Sequence, residues 1–582
     1  MRARRTRGAY QPGAGPSPLW QDTFLPPGGY RPPDRANRLI SSISPVRVSH
    51  TSPVSSFCSC GPRKTRTASE RNVVQARPLP APLCSEVPGT TGERGGHGGA
   101  AVTRTTGPAA EVASLDALGQ AELVRRGEVS PAELVQWAIE RIERLNPALN
   151  AVVTPMFDDA VSRVRQGVRG PFAGVPYLLK DLVVESAGAR FTEGSVFLRD
   201  NTSSFDSELV VRLRRAGLVI VGKTNTPEFG MVPTCEPVLF GATRNPWDVS
   251  RSTSGSSGGS AAAVASGMVA TAHGNDLGGS LRYPASACGL FGLKPTRARN
   301  PLGPEYGDAV GGNAVEHALT RSVRDSAALL DATAGPALGD PYWAPPPAGR
   351  FSDEVGAGPG RLRIAFTSRT ADGSPGHPDC MAALDDAVAL CESLGHHIVD
   401  AQLPEITPEV GAAIGTGFNA ATAWILAYWI RRLGREPEPG EIEPLTRAFW
   451  EAGREVTAAG YLLAVEDTQA YARRVAGFFT GVDVWLTPTL SEPPAALGEI
   501  TSTEAEPLRA LERGGRTVAY SGVIANITGQ PAMSVPLWWN ADGLPVGVHF
   551  LGRFGDEATL FRLAAQLERA RPWIGRTPQV FA

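Results

Sequence analysis

Apolar positions recur in short, punctuated patterns from about residue 113 onward. Ser130-Pro131-Ala132-Glu133 is a capping box with proline at the first helical position. Leu134, Ala138, Ile139, Ile142 and Leu145 follow at helical spacing, and Asn146-Pro147 is expected to stop that helix. The run Gly174-Val175-Pro176-Tyr177-Leu178-Leu179-Lys180-Asp181 reads as a buried strand ending in Lys180. A helix through 210–215 and a second strand at 218–222 follow. Further on, the pattern predicts a helix from Arg321-Ser322-Val323-Arg324-Asp325 through Leu330. It then predicts a strand at 362–366, an amphipathic helix over 380–394 and a short strand at 398–399. Residues 409–478 read as mostly helical and carry Trp424, Tyr428, Trp429 and Trp450, a stripe that suits a core as readily as a pocket. Strands at 484–486 and 533–536 and a helix over 557–567 close the chain.

Residues 1–108 differ in kind. They are rich in Pro, Gly, Ser and Arg and lack apolar periodicity, which predicts a disordered extension with no part in the fold. Arg4-Arg5 is not followed by the apolar stretch that a twin-arginine signal needs. An organelle transit peptide and a mis-set start are the other readings of this stretch. The expected domains are therefore 1–108 and 109–582.

Composition narrows the class. The 582 residues carry a formal net charge of −2 and are 42% hydrophobic, which suffices for one large core or several small ones and gives no argument for a nucleic-acid or anionic-membrane partner. The seven cysteines lack metal-type spacing; Cys58 and Cys60 have no second pair. Cys235, Cys288, Cys380 and Cys391 read as small core residues in a reducing, cytoplasmic setting. No uninterrupted apolar run approaches 18 residues, so no membrane-spanning helix is expected.

The densest chemical signal lies in residues 251–299. Two clusters, Ser254-Gly255-Ser256-Ser257-Gly258-Gly259-Ser260 and Gly278-Gly279-Ser280, flank a small-residue segment, 261–272, made of good helix formers. A flexible linker would not be interleaved with Val, Met, Leu and Phe. Glycine lets backbone approach backbone or ligand, and a turn with free N–H groups beside a hydroxyl is what acyl transfer requires. Lys180 is the other unusual residue, because burying an ammonium is costly. It reads either as a strand-end cation paired with Asp181 or as a functional amine.

Together these stretches resemble the amidase signature family, the Ser–Ser–Lys amide hydrolases. The resemblance rests on Gly255-Ser256-Ser257-Gly258-Gly259-Ser260, Asn275-Asp276-Leu277-Gly278-Gly279-Ser280-Leu281-Arg282-Tyr283-Pro284, Cys288-Gly289 and Gly292-Leu293-Lys294-Pro295-Thr296. Outside that core it extends to Lys223–Gly230, Gly241–Trp247 and Asn526–Ala532, and it spans residues 113–575. It implies an α/β fold, a large twisted mixed sheet flanked by helices on both faces, with 251–299 as the signature core and 405–480 as a helical region on the substrate side.

The resemblance also implies roles. Ser280 is the nucleophile, Ser256 the relay serine 24 positions earlier, and Lys180 the base. To accept a proton Lys180 must be neutral, so desolvation must lower its pKa from about 10.4. A cis peptide is expected between Gly255 and Ser256. The N–H groups of Leu277, Gly278, Gly279 and Ser280 are expected to form an oxyanion hole, with Asp276 and Arg282 as a buried ion pair holding the turn. Segments 223–230 and 241–247 are expected to line the site. Met231 reads as acyl-pocket wall or ordinary packing, and Phe418, Asn419 and Thr422 as substrate-side contacts. No cofactor and no metal is implied. The expected partner is a small-molecule amide, with neither nucleic acid nor membrane; a homodimer is compatible with the sequence. A Ser-His-Asp set of Ser280, His273 and Asp276 explains fewer residues, and geometry rather than order defines a triad. Lys294 reads as structural.

Ala272-His273-Gly274-Asn275-Asp276, Cys288 through Arg297 and Arg321 through Asp325 are similar to the 6-aminohexanoate-cyclic-dimer hydrolase branch. That branch implies aliphatic or cyclic amides. A broad-range acyl or aryl amidase, the glutaminase subunit of a tRNA amidotransferase, and an inactive binding protein of the same fold stand as alternatives. The intact set Lys180, Ser256 and Ser280 weighs against the last.

Overall fold

The computed structural model describes residues 107–582, apart from Asp372 and Ser521. The disordered extension and its leader readings concern residues that lie outside this range, except for Gly107 and Pro108, where a helix, Pro108–Ser114, already begins. Among the described residues thirteen strands form in chain order: β1 (Val152–Pro155), β2 (Pro176–Lys180), β3 (Val219–Thr224), β4 (Arg244–Asn245), β5 (Asp248–Ser252), β6 (Thr271–Asp276), β7 (Phe291–Lys294), β8 (Val315–Thr320), β9 (Arg363–Phe366), β10 (His397–Asp400), β11 (Val484–Pro488), β12 (Ala532–Trp539) and β13 (Pro545–Leu551). Eleven of them make one mixed sheet in the order β1-β3-β2-β6-β8-β7-β12-β13-β11-β9-β10, and β4 and β5 form a separate ribbon.

Strand periodicity explains why both faces are covered. Leu178, Val219 and Val221 pack into one apolar cluster, while Tyr177, Leu179 and Ile220, the alternate positions of the same two strands, pack into another. Side chains of a strand alternate between faces, so each face needs its own apolar cover. The first cluster is closed by the helices Pro131–Leu149 and Gly258–Ala265, the second by Glu208–Arg215 and Val323–Thr333.

Most elements form where periodicity places them, and two differ. The helix from Pro131 continues through Pro147 to Leu149. Asn146 does its work beyond the helix end instead: its Oδ1 accepts from Ala151 and Val152 N–H, both at 2.8 Å, and so steers the chain into β1. The helix formers of 261–272 are used only in part as helix. The helix Gly258–Ala265 ends at Ser266-Gly267 and the chain re-enters the sheet as β6.

Residues 409–478 form three helices, Pro408–Leu433, Pro444–Arg454 and Ala458–Phe478, with the first packed against the other two. Gly453 comes so close to the first helix that a Cβ would strike the Asn419 carbonyl. By length and composition Pro408–Leu433 is apolar enough to cross a bilayer, although Asn419 and Thr422 are among the polar residues that interrupt its apolar run. In the fold both of those residues are buried. Cys235, Cys288, Cys380 and Cys391 are buried and unbridged.

Candidate active site

Parallel pairing of β2 with β6 puts Tyr177 opposite Thr271 and Leu178 opposite Ala272. Extending that register brings Lys180, the end of β2, level with Gly274, two residues before β6 ends at Asp276. The carboxyl ends of neighbouring parallel strands are where open α/β sheets place their ligands.

Lys180 is fully buried. Its Nζ donates to Ser256 Oγ at 2.6 Å and to Asn275 Oδ1 at 2.5 Å, and Asn275 Nδ2 donates to the Leu182 carbonyl at 3.1 Å. Desolvation pulls the Lys180 amine down to about 7, against the opposing pull of Glu316, Cys235 and Asp276. Asp181 is not its partner. The Asp181 carboxylate faces Lys223 Nζ at 2.5 Å and accepts from the Thr192 hydroxyl at 2.6 Å. The pairing of β2 with β3, which sets Leu179 opposite Lys223, accounts for that exchange.

Ser256 follows a cis peptide bond from Gly255, as expected. Ser257 N–H donates to the Ser280 carbonyl at 3.2 Å and ties the two Gly/Ser clusters together. The turn that carries Ser280 is organised by Asp276. Its carboxylate accepts from Gly279 N–H at 2.8 Å, Leu281 N–H at 3.1 Å, and Arg282 Nε and Nη2 at 3.0 and 2.9 Å. Asn526 Nδ2 adds a bond to the Asp276 carbonyl at 2.8 Å. Burial would raise the Asp276 carboxyl, but the Arg282 charge and these bonds outweigh it and hold the group well below the usual range. The expected Asp276–Arg282 pair is therefore present and wholly buried.

Ser256, Ser280, Leu277, Met231, Phe418 and Thr422 share the wall of one cavity of 90 Å³. A second cavity of 390 Å³ shares Leu277, Phe418 and Trp424 with it and widens the available space. A roomier hollow of 460 Å³ beside Arg299, Trp343 and Phe351 contains none of these residues, so volume alone does not mark the site. Met231 both lines the cavity and packs against the cluster of Leu445 and Phe449, and the Thr422 hydroxyl contacts its sulfur at 3.8 Å.

Four expectations are corrected. Gly279 cannot offer its N–H to an oxyanion, because Asp276 already holds it. Asn419 does not line the cavity; it sits where Gly453 of the next helix packs on its backbone. Segment 241–247 supports the site from behind, with Thr243 bonded to Asn225 and Asn150 and Trp247 to the Cys288 carbonyl. Of 223–230, only Phe229 and Gly230 reach the cavity. His273 is engaged elsewhere: one ring nitrogen accepts from Lys180 N–H at 3.2 Å and the other meets Glu316 at 2.5 Å. Lys294 bonds the Pro295 carbonyl at 2.7 Å and lies off the cavity wall. Sequence reasoning missed the roles of Asn275 and Asn526, although both stand inside quoted motifs. It also missed Glu193 and Tyr306, which line the cavity without any local signal. Among the described residues no group of three His, Cys, Asp or Glu side chains is gathered to hold a metal.

Residues 133–561, which hold every one of these groups, match the family described as Amidase. The chain belongs to the amidase family. It is an enzyme of amide-bond hydrolysis, and the relatives that follow cover about four fifths of it. The 6-aminohexanoate-cyclic-dimer hydrolase of Paenarthrobacter ureafaciens is 39% identical over 479 residues, covering 80% of this amidase and 96% of the relative. A solved structure of 6-aminohexanoate cyclic dimer hydrolase complexed with substrate matches with a TM-score of 0.76 at 37% identity, over 81% of this chain and 100% of that one. A bacterial aryl acylamidase of the amidase signature family matches with a TM-score of 0.72 at 26% identity, over 80% of this chain and 99% of that one.

Proposed function

We propose that this amidase cleaves aliphatic or cyclic amides of the 6-aminohexanoate type through an acyl-enzyme on Ser280, with Ser256 and Lys180 as its proton path. The observation that carries the reading is the 2.6 Å contact between Lys180 Nζ and Ser256 Oγ, two buried side chains beside the partly exposed Ser280. An amine held near neutrality takes a proton from Ser256, and Ser256 takes one from Ser280. Ser280 Oγ bonds to the amide carbon, and the oxyanion is met by N–H donors drawn from Leu277, Gly278 and Ser280. The proton returns through Ser256 to the leaving nitrogen as the C–N bond breaks. Water then repeats the sequence on the acyl-enzyme and releases the acid.

The wall supports an aliphatic substrate, since Leu182, Met231, Phe418 and Ile425 present hydrocarbon beside the two serines. The similarity to 6-aminohexanoate-cyclic-dimer hydrolases points the same way. The test is a panel scored by released amine: acetamide, an anilide, cyclic and linear 6-aminohexanoate oligomers, and glutamine. Preference for the oligomers supports the reading. Preference for the anilide or for glutamine replaces it with an aryl-acylamidase or glutaminase reading, and a folded protein inert on all of them overturns it.

A further inference from the structure

The cavity wall carries two polar groups for which the proton path has no use. Glu193 is 1% exposed, and its backbone adopts a φ of 50°, a conformation few non-glycine residues take. Phe229 N–H, donating to the Glu193 carbonyl at 2.8 Å, holds it there. One carboxyl oxygen accepts from Trp429 Nε1 at 2.9 Å; the other, among the described residues, is reached only by Val183 N–H at 3.5 Å. A carboxylate has room for about four donors, so acceptor capacity is left over.

Tyr306 is the second group. Its ring is held by Trp424 and Tyr428, with centroids 5.6 and 5.4 Å away. Its hydroxyl is sealed from solvent and, although the Tyr428 hydroxyl lies beside it, meets hydrogen-bond geometry with none of the described residues. The neighbouring Tyr428 hydroxyl donates to Glu305 at 3.1 Å and accepts from Arg432 at 2.9 Å. A buried hydroxyl without a partner is rare and calls for a reason, and a ligand group is one such reason. Glu193 and Tyr306 open onto the same cavity as Ser256 and Ser280.

We propose that Glu193 and Tyr306 form a polar subsite that takes an N–H donor carried by the substrate away from the scissile bond, either a second amide or a terminal ammonium. The subsite rests on the amide reading above and deepens it: it selects oligoamides and ω-amino amides over plain alkyl amides. Glu193 accepts the N–H, and Tyr306 completes the polar end of an otherwise apolar wall. Burial pushes the Glu193 carboxyl up to about 7, with Glu185 and Asp181 adding to the rise, and an N–H donor bound there favours the charged acceptor.

The test uses the full chain and three amides of one length: hexanamide, 6-aminohexanamide and 6-acetamidohexanamide. The readout is kcat/KM for each of the last two divided by that for hexanamide. In the wild type at least one ratio exceeds unity, and the arm that does so identifies ammonium or amide as the donor. In Glu193→Gln, Trp429 keeps the amide oxygen, so an NH2 donor replaces the free acceptor. The favoured ratio is expected to fall about tenfold, the scale of one lost hydrogen bond to a charged group. Tyr306→Phe is expected to lower the same ratio. General damage to the fold moves numerator and denominator together and leaves the ratio alone. If Glu193→Gln does not fold, Tyr306→Phe and the wild-type ratios decide. Ratios at or below unity in the wild type, or unmoved in the folded variants, overturn the subsite while leaving amide hydrolysis standing. Failure of the wild type on all three amides is the distinct failure of the underlying reading.

Discussion

Lys180 Nζ lies 2.6 Å from Ser256 Oγ, and neither side chain reaches solvent. Burial brings the amine down to about 7, so it changes charge near neutral pH. Only the neutral amine can accept a proton from Ser256. The value of kcat/KM on a neutral aliphatic amide is therefore expected to climb as pH rises toward 7, about tenfold per unit on the acid side, and to level off above it. A profile that is flat from acid to alkaline pH removes Lys180 from the role of base.

Ser280 stands on the cavity wall that it shares with Ser256, at the end of a turn whose other contacts run through backbone and Asp276. Ser280→Ala is expected to lower turnover on the order of 10⁴-fold or more without shifting the thermal midpoint. Mass spectrometry during turnover of a slow amide is expected to show an acyl adduct on the wild type and none on the variant. Substantial turnover by Ser280→Ala excludes it as nucleophile.

What is legible in the chain and what is not divides along the reach of each contact. Lys180 stands out because a cation ends an apolar run, and Asp276 with Arg282 because opposite charges sit within one small-residue motif. Partners fixed by strand pairing or helix packing leave no such mark. Lys223 takes Asp181 because β3 lies beside β2, and Asn419 is off the cavity wall, on a stretch of helix against which Gly453 of another helix packs. Pro147 reads as a stop, yet the helix absorbs it in the final turn. Gly279 N–H looked free because a motif shows which donors exist, whereas the carboxylate that claims one appears only in three dimensions.

Asp276 and Arg282 make a wholly buried pair, so removing one charge strands the other. Asp276→Asn is expected to cost about 3–5 kcal/mol in denaturant unfolding. The double variant with Arg282→Met is expected to recover part of that loss, since the uncompensated cation is gone. The folded carboxyl is held below its ordinary value, so its stabilisation is present above about 3.9 and is lost as pH falls toward the depressed folded value. A loss below about 1 kcal/mol, the range of an exposed pair, refutes the organising role assigned to Asp276.

Adjacent glycines in the Ser280 turn are expected to respond oppositely to alanine. Gly279 has a φ of 128°, and a Cβ there is driven into the buried Tyr283 ring. Gly278 has open space where its Cβ would stand. Gly279→Ala is expected to cost more than about 1–3 kcal/mol from backbone strain and overpacking. By displacing the turn it is also expected to lower turnover by about 10²-fold. Gly278→Ala is expected to keep its stability within about 0.5 kcal/mol, so any loss of rate it shows reports on the oxyanion donors and not on folding. Equal thermal midpoints for the two variants contradict this, because the turn then lacks the steric limit that fixes Ser280 against the cavity.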